Sequence, residues 1–338
     1  MEAWSTVSPN SVRLIEKESA PMEKGFCKVR ITTSAISGND FDIVKGRYKI
    51  NYPLILGRNA IGVIAETDED SPFKKGDRVV VSPYMPCLNC INCRDGKLNE
   101  CLDFSYRGVN YDGLLRDFVT LPVENVFALP DSVSDDEGVF IATIASALTI
   151  LDKINFEKGS FIGIGSAGVL GNVIAQLCLY YQAIPVVFDS LQARLDLSKE
   201  RGIYYNFLSD ETAKKKVLQV TGGKMLDNFI YLREHALSLS DSFSYLKQSG
   251  ELFVASIATV NSADVSVPLI SILEKDIKIT PVPYQNDNFM TAINLLVNNS
   301  INVKPLISGV IPFSEVGNVF DNAHDNENSP FYTKIVKL

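Results

Sequence analysis

What the sequence lacks, first, is positive charge in excess. Its 338 residues carry 32 Lys and Arg against 40 Asp and Glu, a net charge of −8. Proteins that grip nucleic acid need a basic balance or a basic patch to neutralise phosphates. The nearest approach, Lys214-Lys215-Lys216, lies between Glu211 and an apolar run and has the pattern of one solvated helix face. Nucleic acid is not expected as a partner. A long apolar run is also missing. The longest, Val139 to Leu151, is interrupted by Thr143, Ser146 and Thr149 and is too short to span a bilayer. Met1-Glu2-Ala3-Trp4-Ser5 has no basic segment leading into an apolar stretch, so no secretory signal is expected. The expectation is a cytoplasmic protein with no membrane partner. There are no repeats and no low-complexity segments. At 46% apolar and 21% charged residues the composition is that of an ordinary globular chain, long enough for two domains.

Cysteine is scarce as well. Six are too few for a disulfide scaffold in a chain of this length. Their placement carries the signal: Cys27 and Cys178 stand alone, whereas Cys87, Cys90, Cys93 and Cys101 fall within fifteen residues. The spacing C-x2-C-x2-C-x7-C, in a loop with Pro86, Asn89, Asn92 and Gly96, can gather four thiolates round one ion. Zinc prefers such tetrahedral sulfur ligation, and four cysteines leave no position for substrate or water. An iron–sulfur cluster also accepts four cysteines, but the bacterial run ends in C-x3-C-P, which is absent. Reduced cysteines without metal are the third reading. Cys27 and Cys178 sit on the apolar pattern of their elements and read as small buried residues.

The chain changes character along its length. Its first 130 residues are strand-like: Cys27, Val29, Ile31 and Thr33 alternate with Lys28, Arg30 and Thr32, and short apolar runs are divided by turn signals such as Lys75-Gly76-Asp77. From about Ser134 to about Pro283, apolar runs (Phe161–Ile164, Val186–Phe188, Tyr204–Phe207, Asn228–Leu232, Leu252–Ile257, Ile277–Val282) alternate with helical stretches. That alternation implies βαβ units and a parallel sheet covered on both faces. The last fifty residues, with a helix near Phe289–Val297 and a strand at Thr333–Leu338, read as a return to the first domain.

Gly163-Ile164-Gly165-Ser166-Ala167-Gly168 matches G-x-G-x-x-G between a strand and a helix. In that pattern one glycine permits the turn, the next lets the backbone approach a pyrophosphate, and the third packs helix on strand. The helix N-terminus offers unpaired N–H groups and a positive dipole end. Asp189 lies 21 residues beyond Gly168, at the end of the next strand, where a carboxylate accepts hydrogen bonds from a ribose. It would repel a 2′-phosphate, which favours NAD(H) over NADP(H). Arg194, one turn into the following helix, reads as covering the helix surface. The alternative is a plain strand-to-helix turn with a surface aspartate.

Together these pieces resemble the medium-chain dehydrogenase/reductase superfamily, in particular its zinc-type alcohol and polyol dehydrogenases. The resemblance runs through Ser37-Gly38-Asn39-Asp40, Pro53 to Asn59, Phe73 to Val79, the cysteine lobe, Asp112-Gly113 with Phe118, and the glycine turn. It implies an α/β architecture in which a GroES-like, β-rich catalytic domain (residues 1–145 and 288–338) is interrupted by a Rossmann domain with a doubly wound parallel sheet (146–287). Cofactor and substrate would lie in the cleft between them. The lobe at about 84–105 would be the structural zinc site, one zinc per chain. Ser146 joins the glycine turn and Asp189 as a cofactor-binding residue. The resemblance also implies a homodimer or homotetramer.

The departures matter as much. Members with a catalytic zinc have cysteine where Ser37 stands and Gly-His-Glu where this chain reads Gly57-Arg58-Asn59, with a further ligand near Ala142. The proton-relay histidine would fall near Asp42. Serine is a poor zinc ligand, and arginine does not deprotonate to bind metal. The two histidines, His235 and His324, fall in none of these positions and read as surface residues. What remains is Arg58 as a fixed charge near a substrate oxygen, Asp42 or Tyr48 as proton donor or relay, and Ser37 and Asn39 as hydrogen-bonding groups. A structural reading stands beside it, in which Arg58 pairs with Asp40 or Asp42. Three classes follow: a zinc-independent NAD(H) oxidoreductase acting on a small carbonyl or alcohol, an activated alkene or an imine; a polyol or alcohol dehydrogenase with an atypical zinc site; and a non-catalytic NAD-binding protein.

Overall fold

A computed structural model describes residues 1–232, 236–255, 266–282, 288–321 and 333–338. His235 and His324 lie outside the described residues. The chain divides into two compact units, Met1–Ala145 with Tyr284–Leu338, and Ser146–Pro283. Helix Ile141–Leu151 carries the chain from the first into the second. Among the described residues no helix is long and apolar enough to cross a membrane.

In the first unit the alternation at Cys27–Thr33 becomes strand Phe26–Ile36, which buries Cys27, Val29 and Ile31 and exposes Arg30. This long strand organises an antiparallel sheet. Asn59–Thr67 pairs with it along one edge, while Phe118–Pro122 and then Lys334–Lys337 pair along the other. The chain therefore returns at its end to complete a sheet begun near its start. Apolar clusters among the described residues hold the unit. One gathers Cys27, Val29 and Ile31 with Val79, Val81 and Leu121. The other gathers Trp4, Phe41, Leu56, Leu115 and Phe320, and ties a hairpin, Glu2–Ser8 with Ser11–Glu16, to helices Gly38–Val44 and Val316–Asp321.

The second unit is a six-stranded sheet with every pairing parallel. Its spatial order is Tyr205–Leu208, Ile184–Asp189, Phe161–Gly165, Leu226–Tyr231, Leu246–Val254, Lys278–Pro281. Numbered along the chain this is 3-2-1-4-5-6, the doubly wound order of dinucleotide-binding folds. The order reverses between Phe161–Gly165 and Leu226–Tyr231, so the crevice at their carboxyl ends is where such sheets take ligands. The apolar runs are buried because helices cover the sheet: Val186, Phe188, Phe229, Leu246 and Leu252 belong to one cluster with Val217 of a covering helix.

The glycine fingerprint lies three residues further along than the pattern at Gly163 predicts. Gly163 is inside strand Phe161–Gly165, and a Cβ there would meet Phe229 at 2.3 Å and Leu226 at 2.7 Å. It is a packing glycine beneath the neighbouring strand, not part of the turn, and Gly165 closes the strand. The turn itself is Ser166-Ala167-Gly168, with the helix starting at Val169. The close helix–strand approach belongs to Gly171, where a Cβ would stand 1.8 Å from the Ser166 carbonyl oxygen. The working frame is thus Ser166-x-Gly168-x-x-Gly171, with serine in the first position. Gly171→Ala should lower stability in urea unfolding by about 1–3 kcal/mol or more, as backbone must move. Gly168→Ala, whose methyl meets only Ser166 Oγ at 3.1 Å at an ordinary negative φ, should cost under about 1 kcal/mol. The reverse ranking would return the frame to Gly163.

Candidate functional site

In the first unit Asp40 is the organising residue of the site. It lies in helix Gly38–Val44 and is 1% exposed. Its Oδ2 accepts from the Ser37 backbone N–H at 2.8 Å and from Ser37 Oγ at 2.7 Å, closing the N-terminal turn of the helix. Its Oδ1 accepts from the Gly57 backbone N–H at 3.1 Å. Gly57 has φ +86, and a Cβ there would strike the Leu115 backbone nitrogen at 2.8 Å. Only glycine fits, and the next residue is delivered to the site.

That residue is Arg58, 8% exposed. Its Nη2 donates to Ser37 Oγ at 3.1 Å, so the guanidinium reaches Asp40 through the serine hydroxyl. The Asn39 carboxamide, oriented with its oxygen toward the guanidinium, accepts from Nη1 at 2.8 Å and Nη2 at 2.5 Å. The opposite orientation would set donors against donors. Nη1 also donates to the Tyr106 hydroxyl at 3.4 Å, and the guanidinium lies 5.5 Å from the centre of the Tyr106 ring. Tyr106 in turn stacks on Tyr84, with rings 5.0 Å apart and 4° from parallel. Sequence reasoning did not single out Tyr106. It is 48 residues beyond Arg58, in a short strand of the cysteine-lobe region, and no local pattern marks it.

The other expected residues have further contacts. Asp42 is 3% exposed and accepts from Arg47 Nη1 at 2.7 Å. Tyr48 packs against the cluster around Trp4 and Phe41. Ala142 is buried and Ser146 half-buried in helix Ile141–Leu151. Ser37, Arg58 and Asn59 do not fit a catalytic zinc: a hydroxyl, a guanidinium and an amide supply no thiolate, imidazole or carboxylate.

The cysteine lobe does fit a metal. The Sγ atoms of Cys87, Cys90, Cys93 and Cys101 all lie within 4.8 Å of one another. A tetrahedral zinc with bonds of about 2.3 Å needs sulfurs about 3.8 Å apart, and Cys87 and Cys93 stand at 4.0 Å. Local geometry builds the ring: Leu88 and Gly96 take positive φ, and a one-turn helix, Ile91–Arg94, starts at Cys90 and carries Cys93 inward. Backbone N–H groups point at sulfur, from Cys87 to Cys101 at 3.2 Å and from Cys90 to Cys87 at 3.4 Å. Backbone donors at Leu102 and Cys93 hold the Cys90 thiol down at about 6, whereas burial and the neighbouring Cys90 push Cys93 up to about 12. A divalent cation among them would deprotonate all four. Cys27 and Cys178 are 0% exposed. Burial raises their thiols to about 11 and about 12, as inert core residues require.

In the second unit Asp189 is fully buried and bonded within the chain. Its Oδ2 accepts from the Ala167 backbone N–H at 2.9 Å and its Oδ1 from that of Leu191 at 3.0 Å. Arg194 does not merely cover the helix surface: Nη1 stands 3.6 Å from Asp189 Oδ2, and the side chain is 11% exposed. Gly168 N–H is taken by Ser166 Oγ at 3.0 Å. Asn172 Nδ2 donates to the Gly168 carbonyl at 3.1 Å, and Ser198 Oγ donates to Asn172 Oδ1 at 2.9 Å, so the turn is held from both sides. The glycine cradle and the helix start at Val169 fit a dinucleotide pyrophosphate.

Residues 23–131 match the alcohol dehydrogenase GroES-like domain. A zinc-type alcohol dehydrogenase-like protein of Haemophilus influenzae is 25% identical over 331 residues, covering 97% of this chain and 95% of its own length. D-xylulose reductase A of Aspergillus niger is 23% identical over 306 residues, 87% of this chain and 85% of the reductase. Among solved structures, the Escherichia coli CFT073 alcohol dehydrogenase rspB in complex with NADH superposes with a TM-score of 0.86 at 22% identity, covering 100% and 99% of the two chains. A Sinorhizobium meliloti protein bound to NADP does so with a TM-score of 0.86 at 19% identity, again over 100% and 99%. The fold is a GroES-like domain with a Rossmann domain. Over nearly its whole length the chain is similar to alcohol dehydrogenase-like oxidoreductases, and residues 23–131 are the part that matches their GroES-like domain.

Proposed function

We propose that the protein is an NAD(H)-linked oxidoreductase that works without a catalytic zinc, on a small carbonyl or alcohol, an activated alkene or an imine. The observation that carries this reading is Arg58, a buried, permanently charged side chain aimed by Ser37, Asn39 and Tyr106 at the family's ligand position. NAD(H), when bound by the turn 166–168 and Asp189, supplies or accepts the hydride. Arg58 holds the substrate oxygen as negative charge develops on it, the part a Lewis acid plays in zinc enzymes. Ser37 and Asn39 orient the guanidinium. Tyr106 is the hydroxyl beside Arg58 and the favoured proton donor, since Asp42 is engaged by Arg47 and Tyr48 by apolar packing. Cytoplasmic location and a homodimer or homotetramer remain part of the reading.

Asp40 keeps three donors when Arg58 is removed, so Arg58→Ala does not orphan its carboxylate. We expect the variant to lose only about 1–3 kcal/mol of stability and to lose turnover on the order of 10²–10³, with NAD binding unchanged. Thermal unfolding and rates on a panel of aldehydes, ketones and enones read both quantities. A folded variant with wild-type turnover sinks the role, and no turnover by the wild type on any panel member moves the protein to the non-catalytic NAD-binding class.

One structural zinc per chain, held by Cys87, Cys90, Cys93 and Cys101, is proposed with it. Elemental analysis of protein purified without added metal should return one zinc, and Cys93→Ser should lower both zinc content and thermal stability. Two tightly held zinc ions would favour the atypical-zinc alternative and overturn metal-free chemistry at Arg58.

Asp189 is proposed to favour NAD(H), but Arg194 offsets its charge, so discrimination against NADPH should be smaller than a lone carboxylate gives. Removing Arg194 withdraws a charge-assisted contact of about 1.5–3 kcal/mol to a 2′-phosphate. Fluorescence titration of Arg194→Ala should therefore show NADPH weakened by about tenfold or more while NADH changes little. A parallel loss for both cofactors would assign Arg194 to the fold alone.

A further inference from the structure

Behind Tyr106 stands a column of aromatic rings to which the oxidoreductase reading gives no part. Strands Tyr84–Met85 and Ser105–Tyr106 form a two-stranded ribbon at the neck of the cysteine lobe, since Met85 leads into Cys87 and Cys101 leads back to Ser105. Tyr84 and Tyr106 are opposite each other across it. Opposed residues of an antiparallel pair share a face, close enough for their side chains to touch. Here the rings stack, 5.0 Å apart and 4° from parallel. Tyr84 is 1% exposed. Phe104 lies 6.0 Å from its ring and Phe289, edge-on, 6.5 Å. Phe289, at the start of helix Phe289–Val297, stacks in turn on Phe127 at 4.7 Å. The column runs from Phe127 through Phe289 and Tyr84 to Tyr106, and it ends at the Arg58 guanidinium.

The main chain on both sides of the ribbon is pinned. The Tyr84 backbone N–H donates to Ser82 Oγ at 3.2 Å, and its carbonyl accepts from Nδ2 of the buried Asn125. The Tyr106 backbone N–H donates to Asn110 Oδ1. The Tyr106 side chain is only half-buried, and a ribbon of two-residue strands is marginal by itself. Rotation about the first side-chain torsion would carry its hydroxyl away from Arg58 Nη1, which it meets at 3.4 Å. The flat face of Tyr84 opposes that rotation.

We propose that Tyr84 is a positioning residue, which through its stack on Tyr106 holds the phenol hydroxyl at Arg58. This role rests on the reading of Tyr106 as the proton donor beside Arg58, and Tyr84 acts on the reaction through Tyr106 alone. What it supplies is a planar ring in a fixed place, so phenylalanine can replace it and leucine cannot. An aromatic pair favours one ring orientation over its alternatives by about two- to tenfold.

The test labels the full chain with fluorotyrosine and follows Tyr106 by fluorine NMR, its signal identified by its loss in Tyr106→Phe. Tyr84→Leu should displace the Tyr106 signal, while the signals of Tyr48 and Tyr245, which belong to other clusters of the two units, stay in place. Tyr84→Phe should return the Tyr106 signal to its wild-type position. Rates are read in unlabelled protein on the panel of aldehydes, ketones and enones. Tyr84→Leu should lower kcat about two- to tenfold with KM nearly unchanged, and Tyr84→Phe should keep the wild-type rate. In the Tyr106→Phe background Tyr84→Leu should cost nothing further, as two residues acting as one unit require. If Tyr84→Leu also moves the Tyr48 signal, Phe289→Leu, which leaves both tyrosines in place, is read instead and should displace Tyr106 alone. A stationary Tyr106 signal in the variant read overturns the positioning role. So does an equal loss of turnover in both backgrounds, which assigns Tyr84 to the fold. Without turnover by the wild type the oxidoreductase reading fails, whereas the fluorine signal still supports or overturns the hold of Tyr84 on Tyr106.

Discussion

A buried carboxylate holds the first unit's site together. Asp40, through Ser37 and Gly57, joins the start of helix Gly38–Val44 to the segment that carries Arg58. Each of those hydrogen bonds to a charged group is worth about 1.5–3 kcal/mol, and losing the carboxylate would leave buried N–H groups without partners. The direction of Arg58 follows from them. Gly57 has to be glycine for the backbone to pass Leu115, and the residue after it has one path, toward Ser37 and Asn39.

The same device recurs in the second unit with the opposite purpose. Asp189 accepts from the backbone at Ala167 and Leu191, fastening the end of its strand to the turn of the neighbouring one. A carboxylate in that place serves the fold before it meets any ribose. Arg194 beside it makes the local charge nearly neutral.

Arginine takes over roles for which a chain with two histidines has few other side chains. Arg58 is a fixed charge in a polar nest and Arg194 a partner to a buried acid. Unlike imidazole or thiol, guanidinium does not titrate near neutral pH and does not ligate metal. A site built on it offers a directed, permanent charge in place of a switchable proton.

The sequence by itself determined the architecture. Period-two alternation at Cys27–Thr33, apolar runs at regular spacing from Phe161 onward and the motifs of the superfamily were enough for a β-rich unit and a doubly wound sheet, because burial on one face or two writes a period into the chain. It also marked the four cysteines, whose spacing is local, and the chemistry missing at Ser37, Arg58 and Asn59. Its frame for the glycine turn was wrong by three residues. Gly163 and Gly171 are alike in sequence, and what separates them is the Phe229 ring over one and the Ser166 carbonyl against the other. Tyr106 at Arg58 and Arg194 at Asp189 were likewise invisible. Each pairing joins residues by packing across turns and strands, and side-chain direction and burial exist only once those elements are assembled. Tertiary structure therefore decided which charges meet.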